Sequence, residues 1–195
     1  MTKDQVIEEF RQAGALLEGH FLLSSGLHSA AYLQCARVMM DAARGARLCQ
    51  ALAERIRDGL GDDAIDMVVS PAMGGVVVGY EMGRQLGVPA MFTERVDNLL
   101  TLRRGFALSA GSRVLMAEDI VTTGKSSREC IDCITENGGH VVAASCLIDR
   151  SDGAVDLGVP LFALAGLKLA AYAADKLPPE LAALPAVKPG SRAQL

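Results

Sequence analysis

The chain contains no tryptophan, three tyrosines and five phenylalanines, so aromatic residues make up only 4% of it. A core without large rings must be filled by aliphatic side chains, and half of the residues are hydrophobic. No apolar run is long enough to cross a bilayer, and the first residues, MTKDQVIEEF, lack the hydrophobic stretch of a secretory leader. Together these absences predict a cytoplasmic protein with no membrane partner. Positive charge is not in excess either. Nineteen Lys and Arg stand against 23 Asp and Glu, a formal charge of −4, which gives no electrostatic reason to expect a nucleic-acid partner. Histidine occurs only at His20, His28 and His140, too scattered for a histidine-based metal centre.

Cysteine is present but not as a secreted framework. Cys35, Cys49, Cys130, Cys133 and Cys146 are odd in number and unevenly spaced, as expected of reduced thiols. Cys130-x-x-Cys133 invites a zinc or redox reading. Zinc would want a second close pair, and a redox pair belongs at a helix N-terminus, whereas these two lie inside a helical pattern beside Ile131 and Ile134. They are expected to be buried core residues.

At 195 residues, with 20 glycines and an aliphatic core, the chain suits a single α/β domain with many tight loops. Periodicity predicts an opening helix from Thr2 to Leu17, and then Phe21–Leu23 and Ala31–Leu33 flanking a turn at residues 24–29. A helix follows over Asp41–Leu60, a strand over Ile65–Val69, a helix over Val76–Leu86 and a strand opening at Ala90–Thr93. Between Glu94 and Gly111 the periodicity fails. Arg95, Arg103 and Arg104 punctuate a β-ribbon or long excursion, an insertion that serves either as a functional lid or as a solvated hairpin. Val114–Ala117, a helix over Ser126–Asn137 and Val141–Ile148 then form a βαβ unit. A further apolar run over Val159–Leu169 is a candidate strand, and the proline-rich end, about 176–195, is expected to be irregular.

The chemistry gathers around RVLMAEDIVTTGKSSR, residues 113–128. A buried strand gives way to Glu118-Asp119, then to Thr122-Thr123-Gly124-Lys125-Ser126 and a helix. Unpaired backbone N–H groups at such a helix start make an anion site. Carboxylates repel phosphate, so the acid pair must serve another part of the ligand, and hydroxyl donors suit it. A phosphate beside a vicinal diol describes ribose 5-phosphate. A second strand–glycine–helix turn, Ser70-Pro71-Ala72-Met73-Gly74-Gly75, is another candidate anion loop, although such turns also serve packing alone. Two rival motifs fail. A Walker loop ending at Gly124-Lys125-Ser126 would need glycine where Asp119 stands, and no G-x-G-x-x-G follows either strand.

The stretch MAEDIVTTGKS resembles the phosphoribosyl pyrophosphate signature of the type I phosphoribosyltransferases. With FLLSSGLHSAAYLQ, TLRRGF and CLIDR, the likeness from about Phe21 to Arg150 narrows to the orotate phosphoribosyltransferases. That resemblance implies a mostly parallel sheet flanked by helices, a small hood from residues 1–40 and a mobile loop over 94–111. It implies that Glu118, Asp119, Ile120, Val121, Thr122, Thr123, Gly124, Lys125 and Ser126 hold phosphoribosyl pyrophosphate and that Ala72, Met73 and Gly74 meet its pyrophosphate. Thr122 and Arg150 would meet orotate. Arg95, Arg103 and Arg104 would close over the site, often the partner subunit's in a homodimer. Glu118, Asp119, Arg103 and Arg104 are the expected catalytic residues, and Mg²⁺ is the expected cofactor, carried with the pyrophosphate. Three positions depart from the family pattern, where lysine is common at Met73-Gly74 and at Ser24, and lysine and histidine in the loop. Arginine can supply the loop's charge but is a poor proton donor. The alternatives are a purine phosphoribosyltransferase, or a phosphoribosyl pyrophosphate-sensing regulator. The second would need a basic face or an added DNA-binding segment.

Overall fold

A computed structural model describes residues 1–23 and 25–189. Ser24, and the part of the tail beyond residue 189, lie outside the described residues. In chain order the elements are α1 (Lys3–Gln12), β1 (Leu16–Leu22), β2 (His28–Leu33), α2 (Ala36–Met39), α3 (Ala42–Leu60), β3 (Met67–Pro71), α4 (Gly74–Leu86), β4 (Ala90–Val96), β5 (Leu99–Leu102), β6 (Arg113–Val121), α5 (Lys125–Glu136), β7 (His140–Asp149), β8 (Leu161–Gly166), β9 (Ala171–Tyr172) and α6 (Pro179–Ala182). The expected helix over 2–17 is shorter. A capping box starts it: Gln5 N donates to Thr2 Oγ1 and Thr2 N donates to Gln5 Oε1. It stops at Gln12, because Gly14 takes φ +60 and turns the chain into β1.

Two sheets result. Strands β3, β4, β6, β7 and β8 are parallel neighbours in the order β5-β4-β3-β6-β7-β8, and β5 pairs antiparallel with β4. The excursion after Glu94 is therefore a ribbon for its first half. Its turn, Asp97-Asn98, has positive φ at both residues, which suits a tight hairpin. Residues 103–112 then return to β6 without regular structure. The second sheet, β1-β2-β9, forms the hood. Its third strand comes from the C-terminal part of the chain, which sequence patterning does not predict.

Alternation along β6 divides the core. Leu115 and Ala117 join Leu48, Leu52 and Val78 from α3 and α4, whereas Val114 and Met116 join Cys130 and Ile134 from α5. Cys130 and Cys133 are buried in that second cluster, and all five cysteines are free.

Strand order places the site. From β3 the chain moves outward to β4 and β5, then crosses to β6 and proceeds the other way. The carboxyl ends of β3 and β6 therefore flank the point where the winding direction reverses, which opens a crevice in such sheets.

Candidate active site

Two helix starts face this crevice. After β3, Ser70 is buried and α4 begins at Gly74; after β6, α5 begins at Lys125 with Gly124 as its N-cap at φ +72. Neither N-cap side chain caps its helix; Lys125 N reaches Thr123 Oγ1 at 3.4 Å and Val76 N reaches Met73 O at 3.2 Å, and other N–H groups of each first turn can meet a ligand. Gly124 is required twice over. Beyond its φ, an added Cβ would lie 2.6 Å from Val155 Cγ1. The loop between β6 and α5 is braced by Arg128, which donates to Thr123 O at 2.6 Å and to Asp156 O at 3.0 Å. Arg128 is thus spoken for. Lys125 is exposed, with Glu129 3.8 Å away.

The two carboxylates straddle their strand. Glu118 lies on the α5 face, only 5% exposed, and accepts from Ser126 Oγ at 3.0 Å. Burial, reinforced by the neighbouring Asp119 charge, pushes Glu118 up to about 8, against the pull of the Ser126 hydroxyl and a backbone N–H. Asp119 lies on the α4 and hood face, where burial raises its carboxyl too, partly offset by the Ile120 N–H at 2.8 Å. It fits there because Gly74 has no side chain: a Cβ would sit 2.9 Å from Asp119 Oδ2.

Asp119, Ile120, Thr122, Thr123 and Arg150 line one cleft of about 430 Å³ beneath the hood, a size suited to a small ligand. The hood contributes Leu22, Tyr32 and Gln34, all within the FLLSSGLHSAAYLQ stretch though given no role there, and Cys35, which lies just beyond it. A larger groove, about 770 Å³ between α1 and α3, contains none of the expected site residues. Arg150 follows β7 directly. Its Nε is buried with no hydrogen-bond partner, and burial lowers its pKa. Adjacent Asp149 does not pair with it, because that carboxylate accepts from Ser151 N, Ser151 Oγ and Gly153 N. A half-buried guanidinium whose Nε is desolvated, with no carboxylate in ion-pair range among the described residues, is suited to receive an anion.

Other expected residues lie elsewhere. Val121 is buried in the core, Ala72 is partly buried in its loop, and Met73 is 83% exposed and lines no wall of the cleft. None of the loop arginines lines it either. Arg95 is paired with Glu129, and Arg104 makes two bonds to Glu94 at 2.8 and 2.9 Å and lies over the Phe92 ring. Among the described residues Arg103 has no ion pair within 4.0 Å.

The phosphoribosyl transferase domain model matches residues 40–157. An orotate phosphoribosyltransferase of Novosphingobium aromaticivorans is 62% identical over 100% of both chains, and one of Rhizorhabdus wittichii is 61% identical over 99% of this chain and 98% of its own. The chain belongs to the orotate phosphoribosyltransferase family. The crystal structure of orotate phosphoribosyltransferase from Aeropyrum pernix superimposes with a TM-score of 0.68 at 27% identity, covering 83% of this chain and 93% of that one. The family is one of transferases, and the mostly parallel sheet matches the expected fold class.

The histidines need one correction. His20 and His28, far apart by motif, are brought together across the hood hairpin at 2.6 Å. Among the described residues no three His, Cys, Asp or Glu side chains gather in a way that could hold a metal ion. No helix there is long and apolar enough to cross a membrane.

Proposed function

We propose that this chain transfers the 5-phosphoribosyl group from phosphoribosyl pyrophosphate to orotate, giving orotidine 5-phosphate and pyrophosphate in pyrimidine biosynthesis. The observation that carries the choice of base is Arg150. A neutral purine offers this half-buried guanidinium, whose Nε is buried and unpartnered, no charge to pair with, whereas the orotate carboxylate can accept two parallel hydrogen bonds. The acidic balance of the chain speaks against a nucleic-acid-binding regulator.

The rest of the site divides the sugar phosphate among its parts. N–H groups at the start of α5, with Thr122, Thr123 and Ser126, take the 5-phosphate, and the acid pair accepts from the ribose hydroxyls on either side of the strand end. Backbone at Ala72–Gly74 takes the pyrophosphate. Mg²⁺ would be carried by the pyrophosphate, with Asp119 the protein carboxylate best placed to reach it. Mg²⁺ prefers one or two carboxylates plus substrate oxygens and waters, which suits its delivery with the pyrophosphate. Bound there, it neutralises charge on the leaving group.

As the ribose–pyrophosphate bond breaks, its electron pair leaves with pyrophosphate and positive charge develops on the ring. Glu118 and Asp119, once ionised, stabilise that charge. The ribbon and return loop over 94–111 supply Arg103 and, after exchanging their carboxylate partners, Arg95 and Arg104. Closing this loop excludes water from the activated sugar. All three act by charge, since arginine does not release a proton at neutral pH.

We assign the loop to the partner's site in a homodimer. Two features support this: the arginines lie off their own cleft, and Met73, Val77 and Tyr80, at 83, 51 and 70% exposed, make an apolar stripe on α4 that suits a second copy. Five free, buried thiols fit a reducing cytoplasm. Residues 1–195 act as one domain in this reading. A competition panel tests the base: orotate should be consumed in preference to adenine and xanthine, and turnover of a purine in its place would overturn the assignment.

A further inference from the structure

The chain beyond α6 turns back across the hood. At Val187 it runs parallel to β1, on the edge that β2 leaves free. Leu22 N donates to Val187 O at 2.9 Å, and Val187 N donates to His20 O at 2.8 Å. Further on, Pro189 lines the same cleft as Asp119, Thr122 and Arg150, next to Leu22 of β1. The segment is held from beneath. His20 is buried, and its Nδ1 lies 2.8 Å from Leu184 O. A carbonyl only accepts, so this nitrogen carries the hydrogen. The other ring nitrogen meets His28 Nδ1 at the start of β2. One buried imidazole therefore ties β1, β2 and the returning tail together, and Leu181 is buried alongside.

Two backbone hydrogen bonds, a buried histidine and two prolines that limit chain freedom, Pro185 and Pro189, fix the tail in this position. We propose that the segment Pro185–Pro189, latched by His20, sets Pro189 as a positioning wall of the base subsite that holds the pyrimidine against Arg150. This rests on reading the cleft as the orotate site. Pro189 shares the cleft with Leu22 and Leu23 of the hood, and the backbone bonds of Val187 go to Leu22 and His20 of β1 and to neither anion loop. Its loss should therefore affect the base and spare the sugar phosphate.

Two variants test this. One ends the chain after Pro185; the other, Val187→Pro, keeps every residue but removes the N–H that bonds His20 O. Steady-state kinetics with both substrates and a thermal melt are measured beside the wild type. The expected result is a rise of about tenfold in the orotate KM, with kcat and the phosphoribosyl pyrophosphate KM within about threefold. An unchanged orotate KM in a folded variant overturns the proposal, as does an equal rise for both substrates or a fall confined to kcat. Failure of both variants to fold also overturns it, because the segment is then part of the hood's core. If the wild type itself does not consume orotate, the failure lies with the base assignment and not with the wall.

Discussion

Asp119 occupies the space that a side chain on residue 74 would fill: a Cβ on Gly74 would lie 2.9 and 3.0 Å from the two carboxylate oxygens. The loop proposed to take the pyrophosphate and the strand proposed to hold the ribose are thus coupled through a missing methyl group. Gly74 starts α4 and is not among the positive-φ glycines, so alanine suits its backbone. Gly74→Ala should therefore leave the melting temperature nearly unchanged while displacing Asp119. We expect kcat/KM for phosphoribosyl pyrophosphate to fall about tenfold or more. Wild-type kinetics in a folded variant would remove Asp119 from the sugar site.

Glu118 predicts a proton linkage. Its ordinary value is 4.5, and in the unliganded protein it stands at about 8. Between those values the folded state holds a proton that the unfolded chain has released. Stability contributed by this proton is fully present below pH 4.5 and is lost as pH rises towards 8. Denaturant unfolding of Glu118→Gln should show a flatter pH profile across that window and greater stability than wild type at its upper end. A parallel profile would contradict the buried, protonated acid.

The same proton should leave when substrate binds. Ribose hydroxyl donors favour the ionised carboxylate, so phosphoribosyl pyrophosphate with Mg²⁺ should release protons near neutral pH. Calorimetric enthalpies measured in buffers of different ionisation heat report the number released. The release should vanish in Glu118→Gln.

Arg150 separates stability from function. Removing a half-buried charge that has no ion pair among the described residues should not harm the unliganded fold, so Arg150→Met is expected to melt close to the wild-type temperature. Its orotate KM should nevertheless rise by about 2–5 kcal/mol equivalent, as when a buried hydrogen-bonded charge pair loses one partner. A variant that loses affinity equally for both substrates would refute its pairing with the base.

How much of this was legible in the chain varies with the source of the structure. Glu118-Asp119 and the loop to Ser126 were readable because strand, turn and helix start are contiguous and their spacing is local. The buried fate of Cys130 and Cys133 followed from helical period alone. The end of the first helix was misplaced, because Leu16 and Leu17 continue its apolar stripe and only the φ of Gly14 diverts the chain. That His20 meets His28 depends on the register of the hood hairpin, and that β9 completes the hood sheet and Pro189 reaches the cleft depend on contacts distant in sequence; periodicity records neither. The pairing of Arg95 with Glu129 and Arg104 with Glu94 was hidden for the same reason.

Loop sharing has its own test. Arg103→Ala should lower kcat, and Arg150→Ala should raise the orotate KM; in a shared site, mixing the two impaired proteins raises activity, measured at orotate well below the Arg150→Ala KM, above the sum of the separate proteins. In a mixed dimer one cleft keeps its own Arg150 and receives an intact loop from the partner. Merely additive activity after subunit exchange would place the loop over its own cleft.

The central claim is that orotate is the acceptor. Purified protein mixed with orotate, phosphoribosyl pyrophosphate and Mg²⁺ should show loss of orotate absorbance, with one pyrophosphate released per orotate consumed. Unchanged absorbance under those conditions would contradict the account.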